Sequence, residues 1–255
     1  MSRLRILAIA VLAVALAVPA GSSAGENATK ITVFAAASLT QVFPRIDKSP
    51  RYNFAGSDQL AFQIQQGAPV DVYAAASPKY SELLYHNRLL RKPVVFATNK
   101  LIVLVPRSNP ARIRSVYDLR RSGIKIVIGD KTVPIGSYTR QILDTLGITS
   151  DVMKNVVSQA TDVKAIVSQV ALGQADAGFV YVTDAHPVAS RTKTVALPGW
   201  AQPPIRYEIG VVRASGHQSA ARAFIRKVTS KRGRTLLKKA GFGLPTVKKP
   251  KSKRG

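Results

Sequence analysis

Three observations predict an α/β fold built on parallel sheets. Short Val/Ile-rich runs (KITVFAA, PVDVYAAA, KLIVLVP, IKIVIGD and DAGFVYV) are each followed by a polar or helical segment, an alternation expected of strands joined by helical crossovers. The intervening QLAFQIQQG and TDVKAIVSQVALG space their apolar residues at helical period and stop on glycine. Gly and Pro mark two joints: LVPRSNPAR after Val105, where the chain leaves one lobe, and ALPGWAQPPIRYEIGVV, where it returns on another strand. Two crossings build two lobes with a cleft between them, although a single doubly wound sheet that binds at its switch point fits the same periodicity.

The first 24 residues place Arg3 and Arg5 before an apolar run from Ile6 to Val18, and small residues follow. The run is shorter than the roughly 20 residues of a spanning helix, so it reads as a cleaved secretory signal peptide. No later segment is apolar for long enough to span.

Four features then share one physical character: each ends a strand in small residues or opens a helix, and so points backbone N–H groups beyond the strand. In ITVFAAASLT, Ser38 offers both its hydroxyl and its N–H. In FAGSDQL, Gly56 lets the backbone approach closely and Ser57 opens a helix. In GDKTVPIGSYTRQIL, Pro134 fixes the turn and Gly136 relaxes it, which leaves the N–H of Ile135 free ahead of a helix. In ATDVKAIVSQV, Asp162 or Thr161 caps, and the N–H of Val163 points outward with the positive end of the helix dipole behind it. Singly these are ordinary caps; as a set they point toward an anion cradle. Two further helical runs, in SAARAFIRKVTSKRGRTLLKKAGFGLP, precede a basic tail.

Composition narrows the function. The 255 residues are 46% hydrophobic, enough for one large core or two lobes, and contain no cysteine, which excludes disulfides and thiolate metal sites. Net charge is +25 from 38 basic and 13 acidic residues. The excess is scattered without interleaved aromatics, which argues against nucleic acid and for a solvated basic surface that could adhere to anionic polymers or speed capture of a small anion. His86, His186 and His217 lie near no motif, and the carboxylates make no acid–base spacing, so the chain reads as a binder and not an enzyme.

The ordered segments ITVFAAASLT, FAGSDQLAFQIQQGAPVDVYAAAS, LIVLVPRSNP, IVIGDKTVPIGSYTRQIL, DVKAIVSQVALGQADAGFVYVTDA and KKAGFGLP resemble the periplasmic molybdate-binding proteins of ABC transporters, the ModA family, from about Ile31 to Pro245. The resemblance implies a two-lobed, type II periplasmic-binding-protein fold: residues 25–104 with 207–245 as the first lobe, 105–206 as the second, and 246–255 as a disordered basic tail. It implies an oxyanion, molybdate or tungstate, held by Ser38, Ser57, Ile135, Val163 and Tyr181, with molybdenum present only inside the anion and no cofactor. It further implies an exported monomer, in the periplasm or on the outer face of the membrane, that delivers its cargo to a permease. A binder of sulfate or another oxyanion is the alternative. The chain departs from the family in two places: LTQVFPRIDKSPRYN is short and holds Pro44, so the first helix is expected to be truncated, and Asp58 stands where relatives commonly have a second serine, its carboxylate expected to turn away and cap the next helix.

Overall fold

The computed structural model describes residues 30–246. The expected leader (1–24) and all of the expected tail except Thr246 lie outside them. The chain begins with β1 (Thr32–Ala36), a single 3-10 turn (Ala37–Leu39), α1 (Phe43–Ile46), β2 (Arg51–Ala55), α2 (Ser57–Gln65), β3 (Val72–Ala75), α3 (Pro78–His86) and β4 (Val94–Asn99). It continues through β5 (Leu101–Pro106), β6 (Ile126–Gly129), α4 (Pro134–Thr145), α5 (Thr149–Lys154), β7 (Val156–Ala160), α6 (Val163–Ala171), β8 (Ala177–Tyr181), α7 (Val182–Ala185) and β9 (Thr192–Val195). It returns through β10 (Ile205–Val211) and closes on α8 (Gln218–Thr229) and α9 (Lys231–Lys239).

Two five-stranded sheets result, in the orders β2-β1-β3-β10-β4 and β7-β6-β8-β5-β9, so the two-lobed arrangement holds and the single sheet does not. The sheets are mixed, where parallel sheets were expected. β1 pairs in parallel with β2 and β3, but β10 runs antiparallel to β3 and β4, and β5 antiparallel to β8 and β9. The physical reason is the crossing itself: β5 and β10 are the first strands after each passage between lobes, and each enters its new sheet from the opposite end.

The lobe boundaries also shift. Asn99 pairs with Ile205 in the first sheet while Leu101 already pairs with Tyr181 in the second, so the outward crossing is at Lys100 and not after residue 104. The return is complete by Ile205, before the expected 206/207 boundary. Of LVPRSNPAR, Leu104 to Pro106 end β5 and the rest turns beyond it, with Asn109 and Arg112 at positive φ and the Asn109 side chain bonding both the N–H and the carbonyl of Ile113.

The glycines after α2 and α6 take left-handed φ values, Gly67 at 82° and Gly173 at 71°, as helix-ending residues do. The first helix is truncated: α1 is four residues long and tolerates Pro44 because its first turn has no intrahelical N–H partner to lose. Phe43 packs its ring against Phe96 and Phe224 at centroid distances of 5.8 and 5.5 Å, which holds α1 and α8 to the first sheet. Burying each such ring stabilises the lobe by about 1.5–3 kcal/mol.

Candidate functional site

Ser38, Ser57, Ile135, Val163 and Tyr181 all line one cavity between the lobes. Ser38 and Ser57 come from the first lobe; Ile135, Val163 and Tyr181 come from the second. The cavity leaves about 20 Å³ for the centre of a water-sized molecule, and 220 Å³ of non-atom space in all. Since roughly 10–15 Å³ by the first measure admits one water, the room suits one compact ion and not a sugar or peptide.

Four chain segments aim helix starts at it. The 3-10 turn begins at Ala37, α2 at Ser57, α4 at Pro134 and α6 at Val163. The first N–H groups of a helix have no partner inside it. In α4 the first position is proline, so Ile135 presents the first available N–H. In α6 the Asp162 carboxylate accepts from Lys164 and Ala165 at 2.6 and 3.1 Å, which fixes the cap and leaves the Val163 N–H to the cavity. The sequence predicts that Gly136 relaxes a turn; it lies instead inside α4, where a Cβ would sit 2.0 Å from the Asp130 carbonyl, so glycine is what lets α4 descend onto the end of β6.

The serines are held from below. The Ser57 carbonyl accepts from the Tyr73 hydroxyl at 2.7 Å, and its Oγ accepts from the Ala76 N–H at 3.1 Å, so its own proton is left for the cavity. Ser38 is tied to Tyr207, a residue the sequence did not single out. The Lys100 N–H donates to Asn99 Oδ1 at 2.9 Å, which turns the Asn99 amide nitrogen toward Tyr207 Oη at 3.3 Å and Thr183 Oγ1 at 3.0 Å. Tyr207 Oη thus accepts from Asn99 and shares a hydrogen bond with Ser38 Oγ at 2.8 Å; with Tyr207 as its donor, the Ser38 proton is free for the cavity. The hinge residue beside Lys100 thereby orders the cradle. Only the even spacing of Tyr207 and Ile209 on one face of their strand hinted at an inward phenol.

Tyr181 is buried, and its Oη has no hydrogen-bond partner. Burial, then the neighbouring Tyr207 phenol, pushes its pKa well above the usual tyrosine value, and burial does the same for Tyr207. Both stay protonated donors. Among the described residues lining the cavity there is no Lys, Arg or His. Lys164, one residue beyond Val163, spends its charge on the buried Asp184 at 2.6 Å. Asp162 also lines the cavity, its carboxylate held by the Lys164 and Ala165 N–H groups, so the donors that face the cavity are themselves uncharged, as suits a multiply charged oxyanion that must also be released.

The lobes meet around it. Thr132, in the second lobe, places its hydroxyl between Asp130 Oδ1 at 2.8 Å and Asp58 Oδ2 of the first lobe at 3.0 Å, so that the two carboxylates share its one proton, and it accepts at its carbonyl from the Tyr80 hydroxyl of the first lobe. The sequence predicts that Asp58 caps the next helix; instead its carboxylate makes no cap bond and faces Thr132 of the other lobe, and its buried Oδ1 has no partner. A Cβ on Gly56 would lie 2.7 Å from the Thr161 carbonyl, so glycine permits this close approach.

Comparison with known proteins fits this architecture. The model of the bacterial extracellular solute-binding protein family matches residues 31–243. The chain is 39% identical over 239 residues to the molybdate-binding protein ModA of Mycobacterium tuberculosis, covering 89% of this chain and 90% of that one. It is 31% identical over 233 residues to ModA of Haemophilus influenzae, covering 84% and 89%. Among solved structures, the periplasmic molybdate-binding protein of Azotobacter vinelandii superposes with a TM-score of 0.76 at 22% identity, over 85% of this chain and 100% of that one.

Proposed function

The chain belongs to the ModA family of bacterial extracellular solute-binding proteins, and from that premise we propose that it captures molybdate, or tungstate, between its lobes and hands it to a membrane permease of an ABC transporter. In this reading Ser38 and Ser57 donate hydroxyl and N–H groups from the first lobe. Ile135 and Val163 donate N–H groups from the second, and Tyr181 donates its phenol. The observation that carries the reading is the Tyr181 Oη, a buried donor without a partner on the wall of a cavity at which four helix starts converge. A buried hydroxyl left unpaired costs about 1–3 kcal/mol, a cost removed when an oxyanion oxygen accepts from it.

Binding and release, without turnover, is the activity assigned. Closure selects the state in which both lobes donate at once. The protein acts as an exported monomer, with no cofactor and with molybdenum reached only through its oxygens. Sulfate shares the charge and the tetrahedral shape of molybdate, so cavity size sets the selectivity. Tyr181→Phe tests the assignment: molybdate affinity should fall about tenfold or more with the melting temperature of the ligand-free protein nearly unchanged. Unchanged affinity would remove Tyr181 from the site.

A further inference from the structure

We propose that the face formed by α8 and α9 is a docking surface for an anionic phospholipid membrane. All 13 acidic residues of the chain lie at or before Glu208; residues 209–255 hold fourteen Lys and Arg and no Asp or Glu. Among the described residues of this stretch, Lys227, bonded to Asp47 at 2.6 Å, is the only Lys or Arg in an ion pair. Arg222, Arg226, Lys231, Arg232 and Lys238 are exposed. Like charges gathered on adjacent helices repel one another, and nothing in the fold of α8 and α9 requires them: Phe224, Val228 and Leu237 supply the buried contacts.

The face also has relief. Thr229, Lys231, Arg234, Thr235, Lys238 and Leu244 line a groove of about 420 Å³, room for a phosphate-bearing headgroup among three cations. The described chain ends at Thr246, two residues past Leu244, and the sequence beyond it adds Lys248, Lys249, Lys251, Lys253 and Arg254. The occupant follows from what the face lacks. Its aromatics Phe224 and Phe242 are buried, so the described part offers no ring on which a base or sugar could stack, whereas unpaired cations over two helices match a plane of lipid phosphates. Only the purpose rests on the receptor reading: a receptor held at the membrane meets its permease at raised local concentration.

The test uses residues 25–255 with vesicles of phosphatidylglycerol and phosphatidylcholine, against vesicles of phosphatidylcholine alone. Co-sedimentation with the anionic vesicles only is expected, weakened about tenfold between low and physiological salt. Lys231→Glu with Arg234→Glu and Lys238→Glu should reduce it at least about tenfold while molybdate binding stays unchanged. Should charge reversal unfold the chain, Gln at the same three positions gives the same comparison. The proposal is overturned if wild type ignores anionic vesicles, if it binds an anionic polymer such as polyglutamate but not vesicles, if the triple variant binds like wild type, or if removing residues 246–255 alone abolishes binding. Vesicle binding by a chain that takes no molybdate would count against the receptor reading and leave the surface standing.

Discussion

The Tyr207 hydroxyl lies 2.8 Å from the Ser38 hydroxyl, 169 residues away in the chain, and also accepts from the Asn99 amide at 3.3 Å. Tyr207→Phe removes both halves of that arrangement. The Ser38 hydroxyl then rotates freely, and the Asn99 amide loses one acceptor. Molybdate affinity measured by calorimetry should fall about tenfold, with the fold intact because the ring keeps its edge-on contact with Phe242 at 5.3 Å. An unaltered affinity would mean that Ser38 needs no orientation from below.

Ser57 and Val163 face the same cavity but act through different atoms. Ser57→Ala deletes a donor hydroxyl and the acceptor for the Ala76 N–H, so affinity should drop about tenfold or more while the protein still folds. Val163→Ala leaves the donating N–H in place. Its side chain is 2% exposed, so the variant should melt earlier yet bind within about twofold of wild type. The pair separates a hydroxyl contact from a backbone one.

Asp58 places a carboxylate beside a cavity assigned to a dianion. Its Oδ2 lies 3.0 Å from the Thr132 hydroxyl across the cleft, whose proton it shares with Asp130, and its Oδ1 is buried without a partner. Asp58→Asn keeps an oxygen for Thr132 and removes the charge. Affinity should rise about threefold or more, most clearly at low salt, where like-charge repulsion is least screened. Weaker binding instead would mark the carboxylate as part of the recognition.

Much of this site was legible in the sequence because its signals are local. A helix start announces its free N–H groups through the residues at its own end, as Pro134 does for Ile135 and Asp162 does for Val163. Tyr207 and Asn99 were not legible, since a bond across 169 residues leaves no local trace. The strands divide in the same way. The apolar runs that became β1, β3, β5, β6, β8 and β10 are all interior to their sheets, whereas β2, β4, β7 and β9, which the pattern missed, are the four edge strands. Half-exposed strands such as VVSQA and TKTV carry too few apolar residues to stand out from a turn. The crossing at Lys100 escaped for another reason: LIVLVP is equally apolar in either lobe, and only its pairing with β8 and β9 assigns it.

The central claim is that two lobes donating neutral hydrogen bonds select one compact oxyanion. Calorimetric titration of residues 25–255 with molybdate, repeated in a large excess of sulfate and then of phosphate, tests it most directly. The account predicts one-to-one binding that survives both competitors, with Tyr181→Phe weaker in each titration. No heat with molybdate, or a signal abolished by sulfate, would contradict it and assign the cradle to a different anion.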